Sequence, residues 1–344
     1  MYIHGHTCIS AQETFGNISL DIWRHAVDGK LTAREPVYEG IPAGILRRMG
    51  KAVRMGVGAA LPIVKKHPDI DGIIIGTANG GMEDCIKFLN QIIDYEEGML
   101  TPGNFVQSTS NAIAAQLGLM TANKGYNITH VHRGLSFENA LLDAMMMLKR
   151  KPAASYLVGG VDEISTYNYN IDYLDGWYRK EPVSNTGLFS RNAEGSIAGE
   201  GAAMFLVNNQ PTGAVAQLKA LQTLHSDKEQ EVKAFLDAFI KKYAGASTDI
   251  DILITGENGD SRLQKYYNAA ESLFTDQTGI ARYKHITGEF PTSSALALWL
   301  TCTLGEMPGE LLKSGTSKPV THSFLIYNCY KATQHACMLL QKMR

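Results

Sequence analysis

Residues 134–149 read GLSFENALLDAMMMLK, and between Leu135 and Leu148 only Ser136, Glu138, Asn139 and Asp143 interrupt the apolar run. Residues 291–304, PTSSALALWLTCTL, have the same character, with Ala295 to Leu300 unbroken. A surface helix carries its apolar residues as a stripe on one side, whereas a helix apolar nearly all round has to be covered everywhere. Two such helices in separate parts of one chain predict a layered sandwich with helices in its middle.

Outward from these helices, strands and helices alternate. Tyr2–Cys8 reads as a first strand and Gly50–His67 as a helix whose Lys65, Lys66 and His67 suit the C-terminal dipole. Asp71–Ala78 is a short β-branched strand, and Gly80-Gly81 open a helix to Ile93. Asn104–Leu119 is predicted as one small-residue helix, Ile128–His132 and Ala154–Gly159 as strands, and the Tyr/Asn-rich stretch 167–192 as a long loop. Gly199–Val207 returns to strand. After Pro211-Thr212-Gly213 a second series follows: strands 213–224 and 250–255, helices 227–244 and 261–274, and strands 324–327 and 336–340. The class is α/β. The expected organisation is two halves, 1–210 and 211–344, sharing a rough βαβαβ order without a convincing internal sequence repeat.

Composition narrows the function. Of 344 residues, 44% are hydrophobic and 19% charged, which permits a large core. Lys+Arg 32 against Asp+Glu 34 leaves a net charge of −2, so neither nucleic acid nor a membrane surface is the expected partner. The longest apolar stretch is about ten residues, Ala295–Leu304, against roughly 20 for a membrane span, and MYIHGHTCIS has no secretory pattern. A soluble, cytoplasmic protein is expected. Five scattered cysteines without a C-x-x-C argue against a disulfide framework or zinc, and no metal or cofactor is predicted.

Several stretches, in order along the chain, carry a resemblance. They are Ile73–Thr77 with Gly80-Gly81, Pro102–Leu119 (PGNFVQSTSNAIAAQLGL), Gly159-Gly160-Val161-Asp162-Glu163, and the octet Gly195–Ala202 (GSIAGEGA), the most specific of them. Lys284-His285-Ile286-Thr287-Gly288-Glu289 is similar to a Lys-x-x-x-Gly-His loop. Together they resemble the β-ketoacyl synthases of the thiolase superfamily. The resemblance implies a thiolase-like five-layered αβαβα sandwich of two pseudo-symmetric halves, and decarboxylative condensation of carrier-bound acyl chains.

That chemistry needs a thiolate at a helix N-terminus, two histidines to hold the malonyl thioester, and two backbone N–H groups as an oxyanion hole. Counting from Gly125 puts Gly134 at the family's cysteine, and the nearest cysteine is Cys85. Gly256 falls at the first histidine and Glu289 at the second, while Lys284 is retained. The family's Gly-Phe-Gly-Gly-Thr-Asn turn corresponds to Cys329-Tyr330-Lys331-Ala332-Thr333-Gln334, without its paired glycines. The joint loss implies a noncatalytic protein resembling the chain-length-factor subunit of a ketosynthase heterodimer, in fatty-acid or polyketide (including polyene) biosynthesis. The expected partners are an active ketosynthase, or a second copy of this chain, and an acyl carrier protein. The alternative is a 3-oxoacyl-ACP synthase or acyltransferase using atypical residues. His130 and His132 read as core or interface histidines before catalytic bases. Cys329 is a candidate relocated thiol, Ser136 a capping or packing residue, and Met145–Met147 core filling.

Overall fold

The computed structural model describes residues 1–16, 23–315 and 321–343. The first five long strands are β1 (Tyr2–Ile9), β2 (Gly72–Gly76), β3 (Tyr126–His130), β4 (Tyr156–Asp162) and β5 (Gly201–Asn208). They lie side by side in the order 3-2-4-5-1. The next five are β6 (Ala216–His225), β7 (Ile252–Thr255), β8 (Gly279–Arg282), β9 (Ser323–Tyr330) and β10 (Gln334–Lys342), in the order 8-7-9-10-6. The order repeats, and so does the polarity. β2 runs parallel to β3 and β4 as β7 does to β8 and β9, and β5 and β10 run antiparallel to both their neighbours. The sheets join where Tyr2 and Ile3 pair with Gln217 and Ala216; with the edge strand Leu312–Ser314 they form one 11-stranded sheet.

The main helices are α1 (Lys51–Lys66), α2 (Met82–Asp94), α3 (Pro102–Gln107), α4 (Ala112–Thr121), α5 (Ser136–Arg150), α6 (Thr166–Leu174), α7 (Glu229–Tyr243), α8 (Gln264–Glu271), α9 (Lys284–Thr287) and α10 (Ser294–Thr303). Side chains alternate across each strand, so every sheet serves two cores. Ile74 on β2 and Phe324 and Ile326 on β9 face a central core with α5 and α10. Ile73 and Ile75 face α1 and α4, while Leu325 and Tyr327 face α7 and α8. The layers are therefore helix, sheet, helix, sheet, helix: the thiolase-like sandwich. With both faces buried, β2 reads as an uninterrupted GIIIG. Among the described residues, no helix is long and apolar enough to cross a membrane.

The central helices meet the expectation unequally. Ser294 to Cys302 on α10 are all buried. On α5 the buried set is Ser136–Glu138, Ala140, Leu141, Asp143, Ala144 and Leu148, whereas Met146 is 57% exposed. α5 lies under β2–β4 at the end of the sheet, where nothing within the chain covers its outer side. The segment 104–119 is two helices, because Ser108-Thr109-Ser110-Asn111 breaks it. The Ser108 hydroxyl bonds the Phe105 carbonyl, a local bond that competes with helix continuation. The stretch 167–192 is not all loop: α6 forms behind Ser165, whose hydroxyl accepts the Asn168 N–H.

Candidate functional site

The turn from β3 into α5 is where a nucleophile would stand. Its left-handed residue is Arg133, with φ of 48°, and Gly134 has no positive φ. Glycine at 134 answers a different need. A Cβ there would overlap Tyr330, with ring atom Cδ1 only 2.7 Å away. The Gly134 N–H donates to the Gln334 Oε1 at 3.0 Å. Ser136 accepts the His132 N–H at 2.7 Å and donates to the Arg133 carbonyl at 2.8 Å, so it ties the turn together without capping α5, whose first N–H groups it does not bond.

Gly256 follows β7, and a Cβ on it would overlap the Asn328 Oδ1 and lie 3.2 Å from Lys284 Cε. Asn328 thus occupies the space that any side chain at position 256 would enter. Lys284 is completely buried, and its Nζ donates to the Glu289 Oε2 at 2.7 Å. The same oxygen accepts from Asn258 Nδ2 at 2.6 Å. Burial raises the Glu289 carboxyl above the usual range, against the pull of Lys284. Lys284 directs one of its three N–H donors into this internal ion pair, and the whole side chain is sealed from solvent.

The octet Gly195–Ala202 explains how this loop is held. A Cβ at Gly199 would lie 2.7 Å from the Gly288 carbonyl carbon, and Gly288 itself has φ of +77°. Only glycines let the two backbones cross, with the Gly199 N–H bonding the Glu289 carbonyl at 3.0 Å. Next to it, buried Glu200 accepts the Ala33 and Ile164 N–H groups and pairs with Lys51. Asp162, at the end of β4, accepts from Thr77, Ala78, Asn79 and Thr292, so it fastens the first half to the head of α10.

Sequence reasoning thus picked positions that the fold brings close, Gly256 with Lys284 and Glu289, but missed what fills them. It names Tyr330 and Gln334 only as members of the C-terminal turn, without their filling role, and gives Asn328 and Asn258 no role. That turn also corrects an expectation. Lys331 and Ala332 adopt left-handed φ of 46° and 62°, so the turn reaches the conformation that favours glycine without having one. What remains of a cavity, between Tyr178, Asn258, Glu289, Tyr330 and Lys331, is about 10 Å³, room for about one water. Cys329 is no relocated thiol: it is fully buried, and burial pushes its pKa up to about 12. His130 is half-buried, with Nε2 2.9 Å from the Asp143 carboxylate, which also accepts from Tyr126.

With this geometry in view, the comparisons agree on the family. The sequence profile described as the β-ketoacyl synthase N-terminal domain matches residues 22–237, more than half of the chain. The chain belongs to the β-ketoacyl synthase family. It is similar in fold to the ishigamide ketosynthase/chain length factor (15% identity, TM-score 0.75, covering 100% of this chain and 99% of that one). It is similar as well to the ketosynthase ApeO in complex with its chain length factor ApeC from Xenorhabdus doucetiae (14%, 0.77, 99% and 98%). A third is the AntDE:AntF complex of a type II polyketide acyl-carrier protein with its ketosynthase (13%, 0.80, 99% and 99%). Identities this low establish the shared fold. No curated protein sequence matches the chain.

Proposed function

We propose that this chain is a noncatalytic, chain-length-factor-type subunit that pairs with an active ketosynthase acting on carrier-bound acyl chains in fatty-acid or polyketide biosynthesis. The carrying observation is the filled site. Tyr330 occupies the space above Gly134, Gln334 takes the Gly134 N–H, and Asn328 stands where Gly256 has no side chain. The site residues of this reading are the degenerate positions Gly134, Gly256 and Glu289 with retained Lys284, and the halves divide at 210/211.

Two surfaces support the pairing. Among the described residues β3 ends the sheet with its outer edge unpaired; Val131, which follows it, and Leu119, on the neighbouring α4, are exposed, as are Phe105 and Val106 on α3. A free strand edge with exposed apolar residues of this kind suits an obligate partner. At the head of α1, a cavity of about 500 Å³ is lined by Arg47, Arg48, Lys51, Arg54 and Lys87 together with Glu83, Asp84 and Glu163; Lys51, Arg54 and Lys87 are ion-paired, which leaves Arg47 and Arg48 as the cations suited to an acidic carrier-protein surface. The test is light scattering and turnover with a cognate ketosynthase. A heterodimer is expected, with condensation only when the partner keeps its cysteine. Condensation, or a stable acyl adduct, on this chain alone would instead support an acyltransferase with atypical residues.

A further inference from the structure

Glu138 lies in the first turn of α5 with no solvent exposure, and neither carboxyl oxygen has a hydrogen-bond partner. The hydroxyls of Ser293 and Ser294 at the head of α10, and of Tyr283 before α9, are equally buried and equally unpartnered. They belong together: the Ser294 hydroxyl faces Glu138 and favours its charged form, against the larger effect of burial, and Ser293 stands in the same relation to Tyr283, neither pair closing a hydrogen bond of regular geometry. The patch straddles the seam, since α5 comes from the first series of elements and α10 from the second.

Among the described residues no cation pairs with this carboxyl directly. Lys284 is the one charged side chain that acts on it, and its ammonium is already bonded to Glu289. From the other elements packed on α5, β2 brings only glycine and isoleucine. β3 brings Tyr126 and His130, both engaged by Asp143 further along α5. β4 brings Asp162, saturated by four donors, and β6 brings Leu218 and Leu221 to the shared core. Arg133, before α5, is exposed; His285 on α9 packs against Trp23 and Phe189. An ionised carboxylate sealed among such groups is far costlier than a neutral acid, which needs one acceptor and can use a serine hydroxyl.

We propose that Glu138 is a proton-binding site at the seam between the two halves: it folds as the neutral acid, and its ionisation opposes the packing of α5 on α10. Burial pushes this carboxyl up to about 7. Because the folded value lies above the ordinary one of 4.5, the stabilisation is complete below about 4.5 and is lost as pH rises through about 7.

The test compares urea unfolding of wild type and E138Q from pH 5 to 8. Glutamine copies the shape of the neutral acid, so the folded-to-unfolded ratio of E138Q relative to wild type should rise on the order of 100-fold across that range. Infrared spectra of the wild type should show a protonated-carboxyl band that fades near pH 7. Parallel pH profiles for the two proteins would overturn the proposal. So would stabilisation of the wild type at pH 8 by sodium or potassium over choline at equal ionic strength, since a metal ion would then be the neutralising group. Should E138Q fail to fold, the wild-type band decides: a band lost near pH 7 supports the site, and none at pH 5 refutes it.

Discussion

Returning a cysteine to Gly134 tests the filled-site reading most directly, because the structure says what the new side chain would hit. Its Cβ would lie inside the van der Waals envelope of the Tyr330 Cβ and Cγ and 2.7 Å from Cδ1. Tyr330 cannot yield easily, being 5% exposed in a hairpin whose Lys331 is anchored to Asp172. Overpacking of a buried site costs about 1–3 kcal/mol, and an overlap with an aromatic ring belongs at about 3. Tyr330→Ala alone should cost about 3–5 kcal/mol through the cavity it leaves. In the Tyr330→Ala background the cysteine has room, so Gly134→Cys should there cost less than about 1 kcal/mol. The double-mutant cycle therefore closes with a favourable coupling of about 2 kcal/mol or more, read from urea midpoints. Costs that add to within about 0.5 kcal/mol would refute the placement of Tyr330 over Gly134. Neither the single nor the double variant should condense acyl- and malonyl-carrier substrates. Gly256 still lacks a donor, and an ionised Glu289 repels the malonyl carboxylate; turnover by the double variant would mean that the fill, and not those two positions, blocks the chemistry.

Two further outcomes follow from local geometry. Lys284→Met strands Glu289 without its ion partner and should destabilise by about 3–5 kcal/mol, while Lys284→Met with Glu289→Leu should recover most of that, as measured by chemical denaturation; equal losses for the single and the double would refute the pairing. Ala332→Gly, at φ of 62°, should stabilise the hairpin by about 1 kcal/mol, and a destabilised variant would mean the left-handed turn is wrongly placed.

The sequence was most legible where one physical requirement leaves one kind of residue. The uninterrupted GIIIG of β2 and the closed apolar ring of α10 could only be interior, so the layered architecture followed from them. The glycines at 199 and 288 were visible as a motif, yet their cause, two backbones crossing, needed three dimensions. Met146 misled because methionine is apolar whether it faces a core or an uncovered flank at the end of a sheet. The family's thiol and histidine positions, as the resemblance places them at Gly134, Gly256 and Glu289, could be counted along the chain. The substitutes could not, since Tyr330 and Gln334 reach Gly134 from about 200 residues away.

That distance bears on why the scaffold persists. If the site had only lost its reactive groups, the vacated volume would remain as a cavity lined by stranded polar atoms, and each would weaken the fold. Instead Tyr330 takes the space above the helix head, and Asn328 takes the space beside Gly256. Gln334 satisfies the Gly134 N–H, and Glu289 neutralises the retained Lys284. Each replacement meets a packing or pairing need that the loss of a catalytic group would create. The seam between the halves is thereby held by structural contacts where a working enzyme must keep space for substrate. On the proposed reading, a subunit that presents the edge of β3 to a partner would gain from that exchange, because a rigid interface costs less ordering when the partner binds.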